Sequence, residues 1–174
     1  LGMASGDLNG DEENDVLIGA TGNDVGGPNT GTIFILYGPL SSGTEISTND
    51  IDDYVTGQED YAEISAVMDV ADLDGDGMAE LLIGDDANSA GGAAAGRLHI
   101  VSEVISGELN LDDVTMQFDG ESSGDKLGSS VVSVGDVDGD GTGDLLVSAV
   151  LDDAGGIDAG AAYLMLVDME TTGG

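Results

Sequence analysis

The chain has 174 residues, of which 40% are apolar, so it is long enough for one domain with a sizeable core. Only Arg97 and Lys126 oppose 36 acidic residues, and the resulting net charge of −34 excludes nucleic acid and anionic membrane surfaces as partners. The absence of cysteine excludes a disulfide framework. The longest apolar run, residues 32–37, is too short for membrane insertion, and no signal peptide is visible. Because the sequence begins at Leu1 inside a repeated pattern described below, we interpret the chain as a mature product or as an excerpt from a longer chain.

An acidic nine-residue loop occurs three times along the chain. A short strand at residues 1–5 leads into the first loop, residues 7–15. The second loop (72–80) and the third loop (136–144) begin 65 and 64 residues later (72 − 7 and 136 − 72). Each loop opens with Asp at position 1, has glycine at position 4 and ends with Asp or Glu at position 9. A fixed spacing of this length indicates an internal repeat.

The segment after each loop is predicted to form two strands joined by a glycine-rich linker. Glycine pairs mark turns that need a positive φ or a close approach of the backbone. The pairs are Gly26-Gly27, Gly91-Gly92 and Gly155-Gly156. The predicted strands are 16–18 and 32–37 in the first repeat, 81–83 and 97–102 in the second, and 145–147 and 161–167 in the third.

Less regular segments, residues 38–60 and 103–125, separate the repeats. Each of them contains one predicted strand that ends in a glycine turn, and a further strand then leads into the next loop. These strands are 53–56 (turn at Gly57), 64–70, 114–118 (turn at Gly120) and 128–134.

Four short antiparallel strands per unit of ~64 residues are typical of a β-propeller blade. The rival is a parallel β-helix, but its calcium-binding repeats have a period of about nine residues. We predict no helix, because glycines interrupt the alanine-rich residues 87–95. The sequence therefore predicts an all-β chain of about 2.7 blades. The repeats are 1–60 with a truncated first strand, 61–125, and 126–174 without its last strand.

The loops are candidate calcium sites, because carboxylates at positions 1, 3 and 5 can converge on one hard cation and position 9 can close the shell. Calcium takes about six to eight oxygen ligands and tolerates irregular geometry. An EF-hand needs Glu at position 12, whereas position 12 of the third loop is Val147 in a strand, so we expect a turn between strands. We predict up to three Ca²⁺ ions. The candidate ligands are Asp7, Asn9, Asp11, the Glu13 carbonyl and Asp15; Asp72, Asp74, Asp76, the Met78 carbonyl and Glu80; and Asp136, Asp138, Asp140, the Thr142 carbonyl and Asp144.

The first loop is predicted to be the weakest of the three sites. Asn9 removes one charge, and Glu12 stands at position 6, where the other loops have glycine. A non-glycine residue with positive φ costs on the order of 1 kcal/mol. We expect the ions to be structural, since extracellular modules bind calcium at roughly 10⁻⁴–10⁻³ M. In ~10 mM calcium, each site would then stabilise the fold by about 1.4–2.7 kcal/mol.

The repeats resemble the FG-GAP repeats of integrin α-subunit propellers and of many bacterial surface proteins. In that family an FG-like pair opens the first strand and a GAP-like triplet ends the second. The matching residues are Leu127-Gly128 and Ser148-Ala149-Val150 in repeat 3, Gly19-Ala20-Thr21 in repeat 1, and Glu63-Ile64 and Gly84-Asp85-Asp86 in repeat 2. The resemblance implies calcium in the turn between the first two strands, on the lower face of the propeller. It also implies ligand recognition by upper-face loops, here 21–30, 86–95 and 150–159.

The sequence does not favour an enzyme. The single histidine, His99, aligns with Phe34 and Tyr163 in the third strand of each repeat, and the chain has no second His or Cys to complete a triad or a zinc site. We therefore predict a calcium-binding propeller segment, extracellular or at the cell surface, that acts as an adhesion, binding or scaffold module. Its ligand would be a protein or a glycan that the sequence does not identify.

Two alternatives remain open. The chain could be a structural subunit of a calcium-stabilised extracellular fibre or sheath, formed by self-association through open blade edges. It could instead be the accessory propeller of a secreted hydrolase whose catalytic residues lie outside these 174.

Overall fold

The computed structural model describes residues 2–43, 45–48, 51, 53–60, 62–64 and 66–168. Within these ranges the chain is all-β, as predicted, and a three-residue 3₁₀ helix, Leu111–Asp113, follows the eighth strand. In chain order the strands are β1 (Met3–Gly6), β2 (Asp15–Ala20), β3 (Thr32–Leu36), β4 (Tyr54–Thr56), β5 (Val67–Ala71), β6 (Glu80–Asp85), β7 (Arg97–Val101), β8 (Glu108–Asn110), β9 (Met116–Asp119), β10 (Leu127–Gly135), β11 (Asp144–Ala149) and β12 (Ala161–Met165).

The strands form three sheets. The first sheet has the order β1-β2-β3-β4-β8, the second β5-β6-β7-β9 and the third β10-β11-β12. Neighbouring strands are antiparallel, apart from the parallel pair β4–β8. Each predicted strand has a counterpart in the structure within a few residues. No helix among the described residues is long and apolar enough to cross a membrane.

Strand β8 and the 3₁₀ helix after it were not predicted. β8 is only three residues long, and it pairs with β4 through Tyr54–Glu108, Val55–Leu109 and Thr56–Asn110. The Asn110 side chain then caps the helix by accepting the backbone N–H of Asp112 at 2.9 Å. The segment after β7 therefore returns to the first sheet before it completes the second.

Two apolar cores hold the sheets together, and we call them the first core and the second core. The alternation of side chains along a strand explains both, because successive residues of β6 point to opposite faces. Leu81 and Ile83 pack into the first core, between the first and second sheets, while Leu82 packs into the second core, between the second and third sheets. The largest partners are Leu17, Ile33 and Ile35 in the first core and Leu98, Ile100 and Leu145 in the second.

Glycine is required where each linker meets the segment that enters the next sheet. Gly31 and Gly96 have φ of 85° and 82°. A Cβ at Gly31 would lie 2.4 Å from the Ile64 carbonyl oxygen, and one at Gly96 would lie 2.1 Å from that of Leu127. Both distances are far inside van der Waals contact, so a larger residue would push adjacent sheets apart.

The alignment of the second repeat needs one correction. The sequence paired Glu63 with Leu127, but the structure places Ile64 there: the N–H of Ile64 donates to Thr30 at 3.0 Å, as the N–H of Leu127 donates to Ala95 at 2.9 Å. The reason lies in β10, whose pairing with β11 shifts register between Leu127 and Ser130 and again between Ser133 and Gly135. Such irregularities move the FG-like position by one residue relative to the loop.

Candidate metal centres

The acidic loops connect the first two strands of each sheet. The first loop joins β1 to β2, the second joins β5 to β6 and the third joins β10 to β11. They are turns between antiparallel strands, as predicted. The upper-face loops, 21–30, 86–95 and 150–159, each follow the second of these strands and so lie at the opposite end of the sheets.

The opening aspartate organises the backbone of each loop. In the third loop, the N–H of Gly139 donates to Asp136 Oδ1 at 2.6 Å and the N–H of Gly141 donates to Oδ2 at 3.0 Å. Positions 4 and 6 therefore both bind the carboxylate of position 1. The equivalent pairs of distances are 2.7 and 3.1 Å at Asp72, and 2.7 and 2.7 Å at Asp7.

These hydrogen bonds require positive φ at positions 4 and 6. Gly139 and Gly141 have φ of 85° and 100°, and glycine adopts such values at little cost. Glu12 occupies position 6 of the first loop with φ of 68°, so the conformation predicted there is confirmed. Its N–H still reaches Asp7 Oδ2 at 2.7 Å, which shows that the loop keeps its hydrogen bonds despite the less favourable residue.

The acid at position 9 is buried at the root of each loop. Asp15 and Asp144 have no exposed surface, and Glu80 is 3% exposed. Each accepts the N–H of position 2, at 2.7–2.8 Å. Asp15 also accepts the N–H of Gly38 at 2.8 Å, and Asp144 that of Val167 at 3.2 Å. Position 9 thus ties the loop to the sheet below it.

Two of the loops bring three carboxylates together. One oxygen from each of Asp72, Asp74 and Glu80 lies within 4.8 Å of the others, and Asp136, Asp138 and Asp144 form the equivalent group. Three convergent carboxylates are hard oxygen donors of the kind that calcium prefers, so these residues fit that ion.

The first loop does not form such a group, because its position 3 is an amide. The Asn9 side-chain oxygen accepts the N–H of Asp11 at 3.0 Å, while its nitrogen donates to the Asp11 carboxylate at 3.2 Å. Only the acids at positions 1 and 9, Asp7 and Asp15, then correspond to members of the groups in the other loops.

Position 5 lies outside both three-carboxylate groups. Asp76 accepts the N–H of Met78, and Asp140 that of Thr142, each at 2.8 Å. These bonds hold the backbone of position 7, whose carbonyls at Glu13, Met78 and Thr142 are predicted ligands. Ligation by positions 5 and 7 stays a prediction.

The acid at position 9 of the second loop has a raised pKa. Burial raises the pKa of Glu80 to about 7, helped by the charges of Asp74, Asp72 and Asp76, although the hydrogen bond from Leu73 opposes the shift. A cation bound among these acids would relieve their repulsion.

The opening acid of the first loop behaves differently. Burial acts to raise the pKa of Asp7, but hydrogen bonds from backbone N–H groups, led by that of Glu12, outweigh it and lower the pKa. The loop backbone therefore stabilises the charged form of its opening acid.

Two comparisons with known proteins agree with this architecture. The FG-GAP repeat family model matches residues 2–36. Integrin alpha-PS2 of Drosophila melanogaster is 30% identical over 155 residues, an alignment that covers 86% of the chain and 10% of the relative. The chain belongs to the FG-GAP repeat family. Since FG-GAP repeats form β-propeller blades, the three sheets of this FG-GAP chain are blades.

The integrin alignment covers a small part of the relative, and the family-model match lies within one repeat of the chain. The chain spans about a tenth of the length of its integrin relative. The family model matches the repeat that contains Asn9 and Glu12. The matched repeat therefore contains the loop that has an amide at position 3 and less glycine than its two companions.

Two side chains outside the loops have structural surroundings that the sequence did not indicate. His99, predicted to be an ordinary strand residue, is buried with its Nε2 atom 3.9 Å from Asp85 Oδ2. The Tyr163 hydroxyl donates to Asp152 Oδ2 at 2.6 Å. The sequence indicated the pair of Tyr163 and Asp152 only weakly, because it shows an aromatic residue in a strand and an acid in a linker eleven residues before it.

Proposed function

We propose that the chain is a calcium-stabilised segment of a β-propeller that acts as an adhesion, binding or scaffold module outside the cell. The observation that carries the calcium proposal is the pair of three-carboxylate groups, within 4.8 Å at Asp72, Asp74 and Glu80 and at Asp136, Asp138 and Asp144. Both groups rest on loops whose backbone is fixed by hydrogen bonds to position 1. The first loop would bind calcium more weakly, through Asp7, Asn9, Asp11 and Asp15.

The role proposed for calcium is structural. Each three-carboxylate group combines the acids at positions 1 and 3 of a loop with the buried acid at position 9. An ion bound by all three would therefore connect three positions of the same turn. Carboxylates this close repel one another strongly in a partly buried site. Binding to the folded state alone stabilises that state by mass action, by about 1.4 kcal/mol for each tenfold excess of calcium over the dissociation constant.

Recognition is assigned to the upper-face loops, 21–30, 86–95 and 150–159. Their position at the end of the blades away from the acidic loops separates ligand binding from the calcium sites. The similarity to an integrin α-subunit supports a protein ligand and an extracellular or cell-surface location. The family is generally non-enzymatic, and the burial of His99 is consistent with a non-catalytic role.

The test is calorimetric titration of the chelated protein with calcium. We expect two sites of similar affinity and a weaker third. Asp74→Asn and Asp138→Asn should each abolish or weaken one of the stronger sites at least about tenfold, because each removes one of three convergent charges. The matched control is Asp112→Asn, which removes an exposed acid outside the loops. Equal effects of all three variants, or no saturable binding, would contradict the proposal.

A second candidate function is a fibre or sheath, and the outer face of the third sheet favours it. Leu146, Leu164 and Leu166 are each exposed there by 38–56%, whereas Leu82 and Ile100 on the corresponding face of the second sheet are buried in the second core. Sedimentation in calcium distinguishes the candidates. Indefinite polymers that dissolve on chelation would support the fibre, and a discrete particle would support the binding module.

A further inference from the structure

A groove opens between the second and third sheets, away from the acidic loops. It has a volume of about 180 Å³, and its lining comes from β9, the segment that follows it, and the strands β10, β11 and β12. The carbon-rich part of the wall consists of Phe118, Leu127, Ala149, Tyr163 and Met165. Two of the six aromatic side chains of the chain therefore line one small groove.

The other lining residues are acids. Asp119, Glu121 and Asp125 complete the groove, and no basic side chain belongs to its described lining. The two basic residues of the chain are engaged by acids: Arg97 pairs with Asp119, and Lys126 with Asp86 at 3.1 Å. Glu121 and Asp125 therefore have no basic partner of their own among the described residues.

The acids around the groove also affect the hydroxyl group of Tyr163. The hydrogen bond to Asp152 is the main cause that raises the pKa of Tyr163 to about 12, and burial and the charges of Asp152, Glu121 and Asp125 add to it. The hydroxyl donates to Asp152 at 2.6 Å, which fixes the ring against the groove. An anion would be repelled here, and a cation would be attracted by the charges of the rim.

The corresponding junction between the first and second sheets is filled. His99, at the strand position of Tyr163, is buried there. Ile105, Leu111 and Val114, from the segment that carries β8, also pack into the first core. An open aromatic and acidic groove is therefore a feature of the second junction within the described part of the chain.

We propose that this groove binds a small quaternary ammonium ion, with its methyl groups against the aromatic and thioether wall and its charge opposite the acidic rim. A metal ion fits poorly, because most of the wall is carbon and offers few oxygen ligands. A primary ammonium gives up strong hydrogen bonds to water against the carbon part of the wall, where the rim acids are the only carboxylate acceptors in the described lining. A quaternary ammonium has no N–H groups, and aromatic faces attract it directly.

The groove is smaller than sites for drug-sized ligands, which occupy roughly 300–1,000 Å³. Its volume of about 180 Å³ suits a headgroup of the size of choline. The proposal is independent of the calcium sites, and its one link to the upper-face loops in the described structure is the hydrogen bond from Tyr163 to Asp152 of loop 150–159.

The experiment is a nuclear magnetic resonance titration in 0.15 M salt that follows the Met165 methyl and Tyr163 ring signals. The probes are choline, its neutral isostere 3,3-dimethylbutan-1-ol and its primary-amine analogue ethanolamine. Choline should shift both signals saturably and bind at least about tenfold more tightly than either analogue, because only choline combines the charge with the methyl surface. Equal binding of the neutral alcohol or of ethanolamine would overturn the proposal.

Two variants locate the site. Glu121→Gln should weaken choline binding by about three- to tenfold, because it removes a rim charge without changing the shape of the groove. Glu103→Gln is the matched control, an exposed acid outside the groove, and should leave the affinity unchanged. If both variants weaken binding equally, the attraction is the diffuse field of a chain with charge −34, and the groove is not the site.

Discussion

The first and third loops have the same backbone and different side chains. In both, the opening acid accepts the N–H groups of positions 4 and 6, and the last acid, Asp15 or Asp144, is fully buried. They differ at position 3, where Asn9 replaces an aspartate, and at position 6, where Glu12 replaces glycine. Of these two loops, the third gathers three carboxylates and the first does not.

The comparison shows that the conformation of the loop and the convergence of its carboxylates are separate properties. The loop conformation depends on hydrogen bonds to positions 1 and 9, which all three loops keep. The convergence of charge depends on the acid at position 3, which the first loop lacks. A loop can therefore hold its shape without being an equally good calcium site, and each of these properties can be tested separately.

The largest expected effect comes from removing the acid that both loops share. Asp144→Ala and Asp15→Ala should each lower the free energy of unfolding by about 2–5 kcal/mol, because each leaves one buried and one partly buried N–H group without its acceptor. Urea unfolding in the presence of a chelator measures this effect without any contribution from calcium. Asp144→Asn keeps an acceptor and should cost less. A loss seen only in calcium would show that position 9 acts through the metal alone.

The second loop tests the cost of crowded acids. The pKa of Glu80 rises from 4.5 to about 7 in the folded chain, so between these values the folded state binds more protons than the unfolded state. The calcium-free protein should therefore lose stability as the pH rises from about 4.5 to 7, and Glu80→Gln should remove that loss.

The same substitution should have the opposite effect in calcium. At pH 7, Glu80→Gln should raise the melting midpoint without calcium, because it removes a buried charge, and lower it with calcium, because it removes a ligand. Circular-dichroism melts under both conditions measure the change of sign. A midpoint that shifts in the same direction in both would refute the role of Glu80 in binding.

Converting the first loop into the third should create a stronger site. Asn9→Asp restores the third acid, and we expect the calcium affinity of the first loop to rise at least about tenfold by titration calorimetry. The reciprocal variant, Asp138→Asn, should make the third loop as weak as the first. If Asn9→Asp leaves the affinity unchanged, position 3 does not distinguish the loops.

The smallest expected effect is at position 6. Glu12→Gly should raise the free energy of unfolding by about 0.5–1 kcal/mol, because glycine accepts the φ of 68° more readily. Gly141→Glu should lower it by a similar amount, since a Cβ at Gly141 meets no atom within 4 Å and its cost is conformational. Denaturant unfolding in chelator measures both, and equal stabilities would show that this backbone position is not strained.

The repeats made much of this structure predictable. The three acidic loops, the strands around them and the glycines at 31 and 96 each recur, so one occurrence supports the next. Glu12 could be assigned a positive φ because its two counterparts are glycine.

Features that occur once were not predictable. β8 has no repeat counterpart and too short an apolar pattern, and the register shifts in β10 displaced the alignment of Ile64. At position 5, Asp76 and Asp140 accept the N–H groups of position 7, and their ligation of calcium stays a prediction. Spacing predicts which residues share a loop, whereas the direction of each side chain depends on local hydrogen bonds.

The central claim is that calcium in these loops stabilises the propeller fold. The most direct measurement is a circular-dichroism melt in millimolar calcium, repeated after chelation and again with calcium or magnesium added back. We predict a large fall in the midpoint on chelation that calcium restores and magnesium does not, since magnesium demands near-octahedral geometry. An unchanged midpoint would contradict the claim and would show that the loops are acidic turns held by hydrogen bonds alone.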